Sequence, residues 1–492
     1  MTDPFPLEPD GPEVRRLAGA ALDRIVRYLE TLPEQPSADV EGAVELARSL
    51  AAEPLPEAGR PIGELLELLF ERAAPKSFNA AGPGYLGFIP GGGLFASALA
   101  DLVAGSVNRY TGVFAAAPAL VQLEANVLRW FAELVGYPPE ARGILTSGGS
   151  LAAFTAIVTA RRERLPEDFL SGTLYISDQT HHSLVKAAVL AGFPPANVRQ
   201  IESDGAFRIR LDRLAERVAE DRRRGLTPFL VVGNAGTVNT GAVDPLPELA
   251  RFAGDEGLWL HADAAYGGFF VLTERGRRAL AGLERADSVV LDPHKGLFLP
   301  YGTGALLVRD GQALRRAHTF GASYLPPDQE DPDLVDFHLL GPELSKPYRG
   351  LRAWLPLELY GAETFRRALD EKLDLARWMA GELRGIEHLT MVAEPELSLL
   401  AFRLEPPRTS EPERDRLNRE VLERVNARKR VFLTGTVLPD GRFVLRVCVL
   451  SFRTHLERME MALADLTGAV AEAVGGPGAP LRGTGGRLSD LG

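Results

Sequence analysis

The sequence predicts an α/β protein built on a mostly parallel, doubly wound sheet. Three observations carry that expectation. Between residues 141 and 310 an apolar run, a polar tip and a helical segment recur in turn. Helical patterns such as 211–224 and 245–256 lie between the runs, as crossovers between parallel strands do. Four of the tips carry polar or ionisable residues, at the strand ends outside which such sheets bind ligands.

Taken in order, residues 13–32 place Leu17, Ala21, Ile25, Tyr28, Leu29 and Leu32 at helical spacing. This amphipathic helix precedes any sheet, and it packs either on a partner subunit or on its own chain. A loop rich in Pro and Glu follows, then a helical pattern at 61–74. Residues 79–95 are dense in Gly and Pro and contain a formal G-x-G-x-x-G, Gly82 to Gly87. No strand precedes it, and Pro83 and Pro90 spoil the strand–turn–helix context, so it reads as an irregular lining loop and not a dinucleotide fingerprint. Residues 117–136 look helical. Gly172–Ser177 leads into Asp178 to His182, Phe229–Val232 into Gly233 to Thr237, and Leu258–His261 into Ala262 to Ala265. Ser288–Leu291 leads into Asp292-Pro293-His294-Lys295-Gly296, where Pro293 stops the strand. Gly304–Val308 follows too soon for a crossover and is expected to be an antiparallel neighbour. Residues 311–347 read as irregular, with Pro326-Pro327 and an acidic run at 328–333, and a loop of that length in a compact enzyme is usually a lid. From 348 helices and strands alternate again, with strands expected at 397–404 and 442–449. The expected organisation is an N-terminal helical arm (1–80), a large domain (81–347), a small α+β domain (348–475) and a disordered tail (476–492).

Of the 492 residues, 45% are apolar and 25% charged, ordinary for a soluble protein. The net charge of −11 offers no basic field for nucleic acid or an anionic membrane. One cysteine, Cys448, excludes an internal disulfide framework and fits a reducing compartment. The acidic, Pro-rich start is not a signal peptide, and no apolar span is long enough to cross a membrane, so a cytoplasmic protein is expected.

The chemistry centres on Lys295. At the mouth of a sheet its amine would be desolvated, which disfavours the ammonium and leaves a neutral nucleophile near pH 7, as a Schiff-base lysine requires. A lone lysine there is otherwise an ordinary surface residue. Thr146-Ser147-Gly148-Gly149-Ser150 precedes an amphipathic helix at 151–164, and a glycine-lined helix N-terminus suits a phosphate, although the same residues also read as a simple N-cap. There is no G-x-x-x-x-G-K-[ST] for a nucleoside triphosphate and no G-x-S-x-G hydrolase elbow. Asp263, at a buried strand end, needs a partner; a pyridinium N–H is one, a turn cap another. His181 can stack on a planar ring or sit as a buried, hydrogen-bonded histidine. His181, His182, His261 and Asp263 lack metal-ligand spacing, and no metal site is expected. Phosphate cradle, ring stacker, acid for a ring nitrogen and Schiff-base lysine together describe a site for pyridoxal phosphate (PLP).

LTSGGS at 145–150, SDQTHHS at 177–183, HADAAYGG at 261–268 and DPHKG at 292–296 closely resemble the group II PLP-dependent decarboxylases, which include aromatic-amino-acid and glutamate decarboxylases. The resemblance covers about residues 12–470. It implies the PLP-dependent transferase fold type I, with a seven-stranded sheet between helices. It implies that Lys295 carries the cofactor as an aldimine, Asp263 pairs with the pyridine nitrogen, Ala265 packs on the ring and His181 stacks over the opposite face. It gives the phosphate to Gly148, Gly149, Ser150 and Asp292, with His294 beside the lysine and Thr237 near the ring substituents. Gly321 to Leu325 resembles the family's mobile catalytic loop, in which Tyr324 would protonate the α-carbon; aldehyde-forming relatives often carry Phe there. Phe88, Ile89, Pro90 and Gly91, with Arg446, fall where relatives line the substrate pocket. The family pattern also implies a homodimer, with N-terminal helices clasping the partner and active sites at the interface.

Two departures stand out. Leu151 and Ala152 follow Ser150 where many relatives have Glu and Asn, which puts secondary contacts in question. Gly91 replaces a residue that could hydrogen-bond a ring hydroxyl. No arginine lies in the Tyr85–Gly91 segment to hold an acidic side chain. The expectation is a decarboxylase of an aromatic or bulky apolar L-amino acid. The alternatives are an acidic-amino-acid decarboxylase, an aldehyde synthase, transaminase or carbon–carbon lyase on the same fold, an inactive scaffold, or a metal hydrolase.

Overall fold

The computed structural model describes residues 7–320, 329, 331 and 334–475. Its main sheet has seven strands: β1 (Arg142–Thr146), β2 (Gly172–Ser177), β3 (Val198–Ile201), β4 (Thr227–Asn234), β5 (Trp259–Asp263), β6 (Ser288–Leu291) and β7 (Gly304–Val308). Across the sheet they run β1-β7-β6-β5-β4-β2-β3. β3, β2, β4, β5 and β6 are parallel, while β7 is antiparallel to both β6 and β1. β1 therefore points the same way as β6, and the C-terminal ends of five strands besides β3 open on one edge. β6 and β7 are buried throughout, which is why they read as unbroken apolar runs. The Gly149–Arg164 helix lies across β1 and β4 to β7, and the Leu211–Arg223 and Leu246–Glu256 helices supply crossovers.

A second, antiparallel sheet is formed by β8 (Leu389–Ala393), β9 (Leu399–Leu404), β10 (Thr434–Val437) and β11 (Phe443–Cys448), in the order β10-β11-β9-β8. A helix over Gly350–Leu383 joins the two units. Its first half places Ala353, Phe365 and Leu369 in the main core, and its second half places Leu375, Met379 and Leu383 in the core under the small sheet. It is broken at Gly361 (φ 71°, ψ 153°), a backbone conformation that favours glycine. The Gly-Pro loop joins this unit too. Leu86 N–H donates to Phe432 O, Cys448 N–H donates to Leu86 O, and Leu86 is fully buried in the second core.

Several expectations change. Residues 311–347 are not wholly irregular: Gly311–His318 is a helix, because Asp310 caps it by accepting from Gln312 N–H. The Pro- and Glu-rich stretch after the first helix contains a helix at Ala43–Ala51. Tyr324, the rest of the 321–328 segment and the 476–492 tail lie outside the described residues.

Candidate active site

Five strand ends and one helix N-terminus meet in a cavity of about 500 Å³ at the C-terminal edge of the main sheet. It is lined by Gly148, Gly149, Ser150, His181, Thr237, Asp263, Ala265, Asp292, His294 and Lys295, and by Phe88 and Ile89. Pro90, Gly91 and Arg446 are not among its lining residues.

β1 delivers the phosphate-type loop. Thr146 Oγ1 donates to Gly148 O (2.9 Å) and takes Gly148 N–H (3.3 Å), which fixes the turn into the Gly149–Arg164 helix. No side chain caps that helix, so its first N–H groups are available to an anion. The loop lies hard against its neighbours. A Cβ on Gly149 would stand 3.1 Å from the Asp292 carboxylate, and one on Gly304 would stand 2.5 Å from the Gly148 carbonyl carbon.

β6 delivers Lys295. Pro293–Gly296 is a single helical turn, which brings residue 295 back over residue 292. Lys295 Nζ pairs with Asp292 Oδ2 at 2.8 Å. Burial alone would push the ammonium down, but Asp292, joined by Asp263, outweighs burial, and the pKa lies above its ordinary value. The expectation that desolvation leaves this amine neutral is thereby corrected: two nearby carboxylates keep the ammonium charged. His294 Nδ1–H donates to Thr303 O (2.6 Å), and burial depresses its pKa and favours the neutral ring.

β5 delivers Asp263. Burial raises its pKa, while the Lys295 charge opposes the rise, and Ala265 N–H donates to Oδ1 at 3.2 Å. β2 delivers His181. Its Nδ1 accepts from Ser183 N–H (3.3 Å) and meets Ser183 Oγ (2.7 Å), so a neutral ring carries its proton on Nε2. Burial, with the charges of His182 and Lys295, pushes His181 down to about 4. The turn before it is held by a residue that pattern reading passed over. Asn234, at the end of β4, donates from Nδ2 to Ser177 Oγ (3.1 Å), Thr180 Oγ1 (3.2 Å) and Asp244 Oδ2 (2.8 Å). The signal was its place at a strand tip, in the same Gly233–Thr237 segment as Thr237.

Arg446 has a different task from direct lining. Its Nε donates to Asn239 O (3.1 Å), Nη1 to Thr434 Oγ1 (3.1 Å), and Nη2 to Phe88 O (3.4 Å) and Val238 O. It laces together the backbone of the pocket wall. His261 is buried within β5, with Nδ1 at Ser288 Oγ (2.8 Å), away from the cavity.

The cavity fits an aromatic aldehyde that carries a phosphate. The uncapped helix N-terminus takes the anion. The half-buried Asp263 carboxyl, with one backbone donor, suits a proton-bearing ring nitrogen. Buried Asp292 Oδ1 has no hydrogen-bond partner, and Lys295 stands beside it as the amine. Those features define a PLP enzyme.

Comparison with known proteins gives the family. Residues 80–405 match the pyridoxal-dependent decarboxylase conserved domain, and the chain belongs to this family. An aromatic-L-amino-acid decarboxylase of Bacillus atrophaeus is 33% identical over 464 residues, 94% of this chain and 96% of the relative. A phenylacetaldehyde synthase of Arabidopsis thaliana is 27% identical, over 89% of this chain and 92% of the relative. Among solved structures, Oryza sativa TDC with PLP and tryptamine superposes with a TM-score of 0.90 at 27% identity, covering 96% of this chain and 99% of that one. A tryptophan decarboxylase of Catharanthus roseus in complex with L-tryptophan gives 0.87 at 26%, covering 94% and 99%. The protein is a PLP-dependent carboxy-lyase of the amino-acid decarboxylase class. No helix among the described residues is long and apolar enough to cross a membrane.

Proposed function

We propose that the enzyme decarboxylates an aromatic L-amino acid to its amine. The observation that carries this is the character of the cavity wall: among the described residues Tyr85, Phe88, Ile89, Leu184, Val238 and Tyr301 line it, and no arginine does. Among the described residues an acidic side chain would meet no lysine or arginine there besides Lys295, and Arg446 is committed to backbone carbonyls. The relatives named for aromatic substrates support the same reading.

When bound, PLP would supply the electron sink that the loss of carbon dioxide from Cα requires. The protein's part is to hold and to move protons. Lys295 would be the covalent anchor, with Asp292 beside it as the carboxylate that pairs with its ammonium before the cofactor binds. Asp263 would keep the ring nitrogen protonated, the N–H groups of Gly149 and Ser150 would hold the phosphate, and Thr237 and Ala265 would flank the ring. His181, neutral with its proton on Nε2, would cover the open ring face and meet the substrate carboxylate. Tyr324 is proposed as the acid that returns a proton to Cα. The active unit is proposed as a homodimer, and the cytoplasm as its compartment, on the single cysteine, Cys448.

An aldehyde synthase is the second reading, favoured by the similarity to the Arabidopsis enzyme. Incubating the PLP-loaded protein with aromatic and acidic L-amino acids, and identifying products by mass, separates the two. The expected result is an arylalkylamine and carbon dioxide from an aromatic substrate. An aldehyde with ammonia would select the second reading, and turnover of glutamate or aspartate alone would overturn the substrate class.

A further inference from the structure

We infer that Tyr301 sets the preference among aromatic substrates: its ring takes the space that a side chain at position 91 would occupy, and its hydroxyl selects a substrate ring that bears a hydroxyl group. This rests on the aromatic-amino-acid reading above and narrows it.

The geometry starts at Gly91. A Cβ there would stand 2.8 Å from Tyr301 Cε1 and 3.0 Å from Cζ, and 3.0 Å from His294 O. The phenol ring therefore packs on bare backbone, and position 91 admits it because it is glycine. The rest of Tyr301 is fixed as well. Arg352, paired with Asp101 at 2.7 Å, donates to Tyr301 O (3.3 Å) and Thr303 Oγ1 (2.8 Å). The ring is tilted against His294 with centroids 5.6 Å apart. Gly302 turns the chain at φ +96° immediately afterwards.

Held on these sides, Tyr301 still lines the cavity that contains Lys295 and is 55% exposed. Its phenol is partly buried, which raises its pKa, while the Gly91 backbone beside it opposes the rise. The group is thus a neutral O–H at physiological pH, with a proton to donate. A phenol or catechol oxygen on the substrate accepts that proton. An indole N–H offers only a donor, and a plain phenyl ring offers neither. The hydroxyl that position 91 lacks is supplied by the ring packed on it.

The test is the ratio of kcat/KM values for L-tyrosine, L-phenylalanine and L-tryptophan in the PLP-loaded wild type, in Tyr301→Phe and in Gly91→Ala. The wild type is expected to prefer tyrosine over phenylalanine by roughly tenfold or more, the scale of one net hydrogen bond. Tyr301→Phe should erase that preference. Gly91→Ala keeps the hydroxyl but displaces the ring, and should lower the ratio too. The visible absorption of bound PLP shows in each variant whether the site has assembled, and a role in packing alone would not move the ratio. An unchanged ratio in Tyr301→Phe, or a wild type that prefers phenylalanine or tryptophan, overturns the inference while the decarboxylase reading stands. No amine from any of the three substrates would overturn that reading and this inference with it.

Discussion

Lys295 and Asp292 sit three residues apart on one helical turn, and their 2.8 Å pair decides the state of the amine. Condensation with an aldehyde needs the free amine, while the pair favours the ammonium. The sign follows directly. A raised pKa leaves less neutral amine at a given pH, so cofactor uptake by the PLP-stripped enzyme should speed up as pH rises toward the lysine's pKa. Asp292→Asn removes the largest stabiliser of the charge, and its uptake profile, followed by the growth of visible absorption after mixing with PLP, should move to lower pH. A profile that stays in place would mean the pair does not govern the amine. This is also where sequence reading stopped short. The position of Lys295 at a strand mouth follows from an apolar run ended by Pro293. Its ionisation depends on how closely a carboxylate approaches, and the turn geometry decides that. Tyr301 was silent for a related reason: its contact with Gly91 spans 210 positions and belongs to no period.

Elements were legible where one physical signal dominated. β4 and β6 are apolar runs buried between layers, and the Pro118–Val135 and Leu246–Glu256 helices carry an apolar stripe, so each was expected close to its observed limits. β3 was not, because Val198-Arg199-Gln200-Ile201 is a short edge strand with two polar residues of four. The Ala43–Ala51 helix hid between Pro-rich flanks. The first helix, Gly11–Thr31, is instructive on the other side. It has no fully buried residue, and Val14, Leu22 and Val26 are exposed apolar side chains. Leu99, Leu102 and Val103, on the Phe95–Val107 helix, are exposed as well. Apolar surface on this scale is expected to be covered by a second copy of the chain. Deleting residues 1–31 should convert a dimer into a monomer in sedimentation analysis. A truncated protein that remains dimeric would show that the arm is not the clasp.

For the whole molecule, the antiparallel insertion of β7 between β1 and β6 brings the phosphate loop beside the lysine turn, although about 145 residues separate them. Sequence alone placed β7 antiparallel to β6 but could not show β1 on its far side, since pairing between distant strands leaves no local trace. The small domain was legible as α+β from its two central strands, whereas the part the Gly-Pro loop plays in its core depends on long-range packing at Leu86. The central claim, that this assembly holds PLP on one particular lysine, has a direct measurement. The chain has only six lysines, and Lys295 is the one in the cavity. Borohydride reduction of the PLP-loaded enzyme, followed by peptide mass mapping, should place one phosphopyridoxyl group per chain on Lys295 and none in Lys295→Ala. A stoichiometric adduct on Lys186, Lys346 or another lysine, with Lys295 unmodified, would contradict the account.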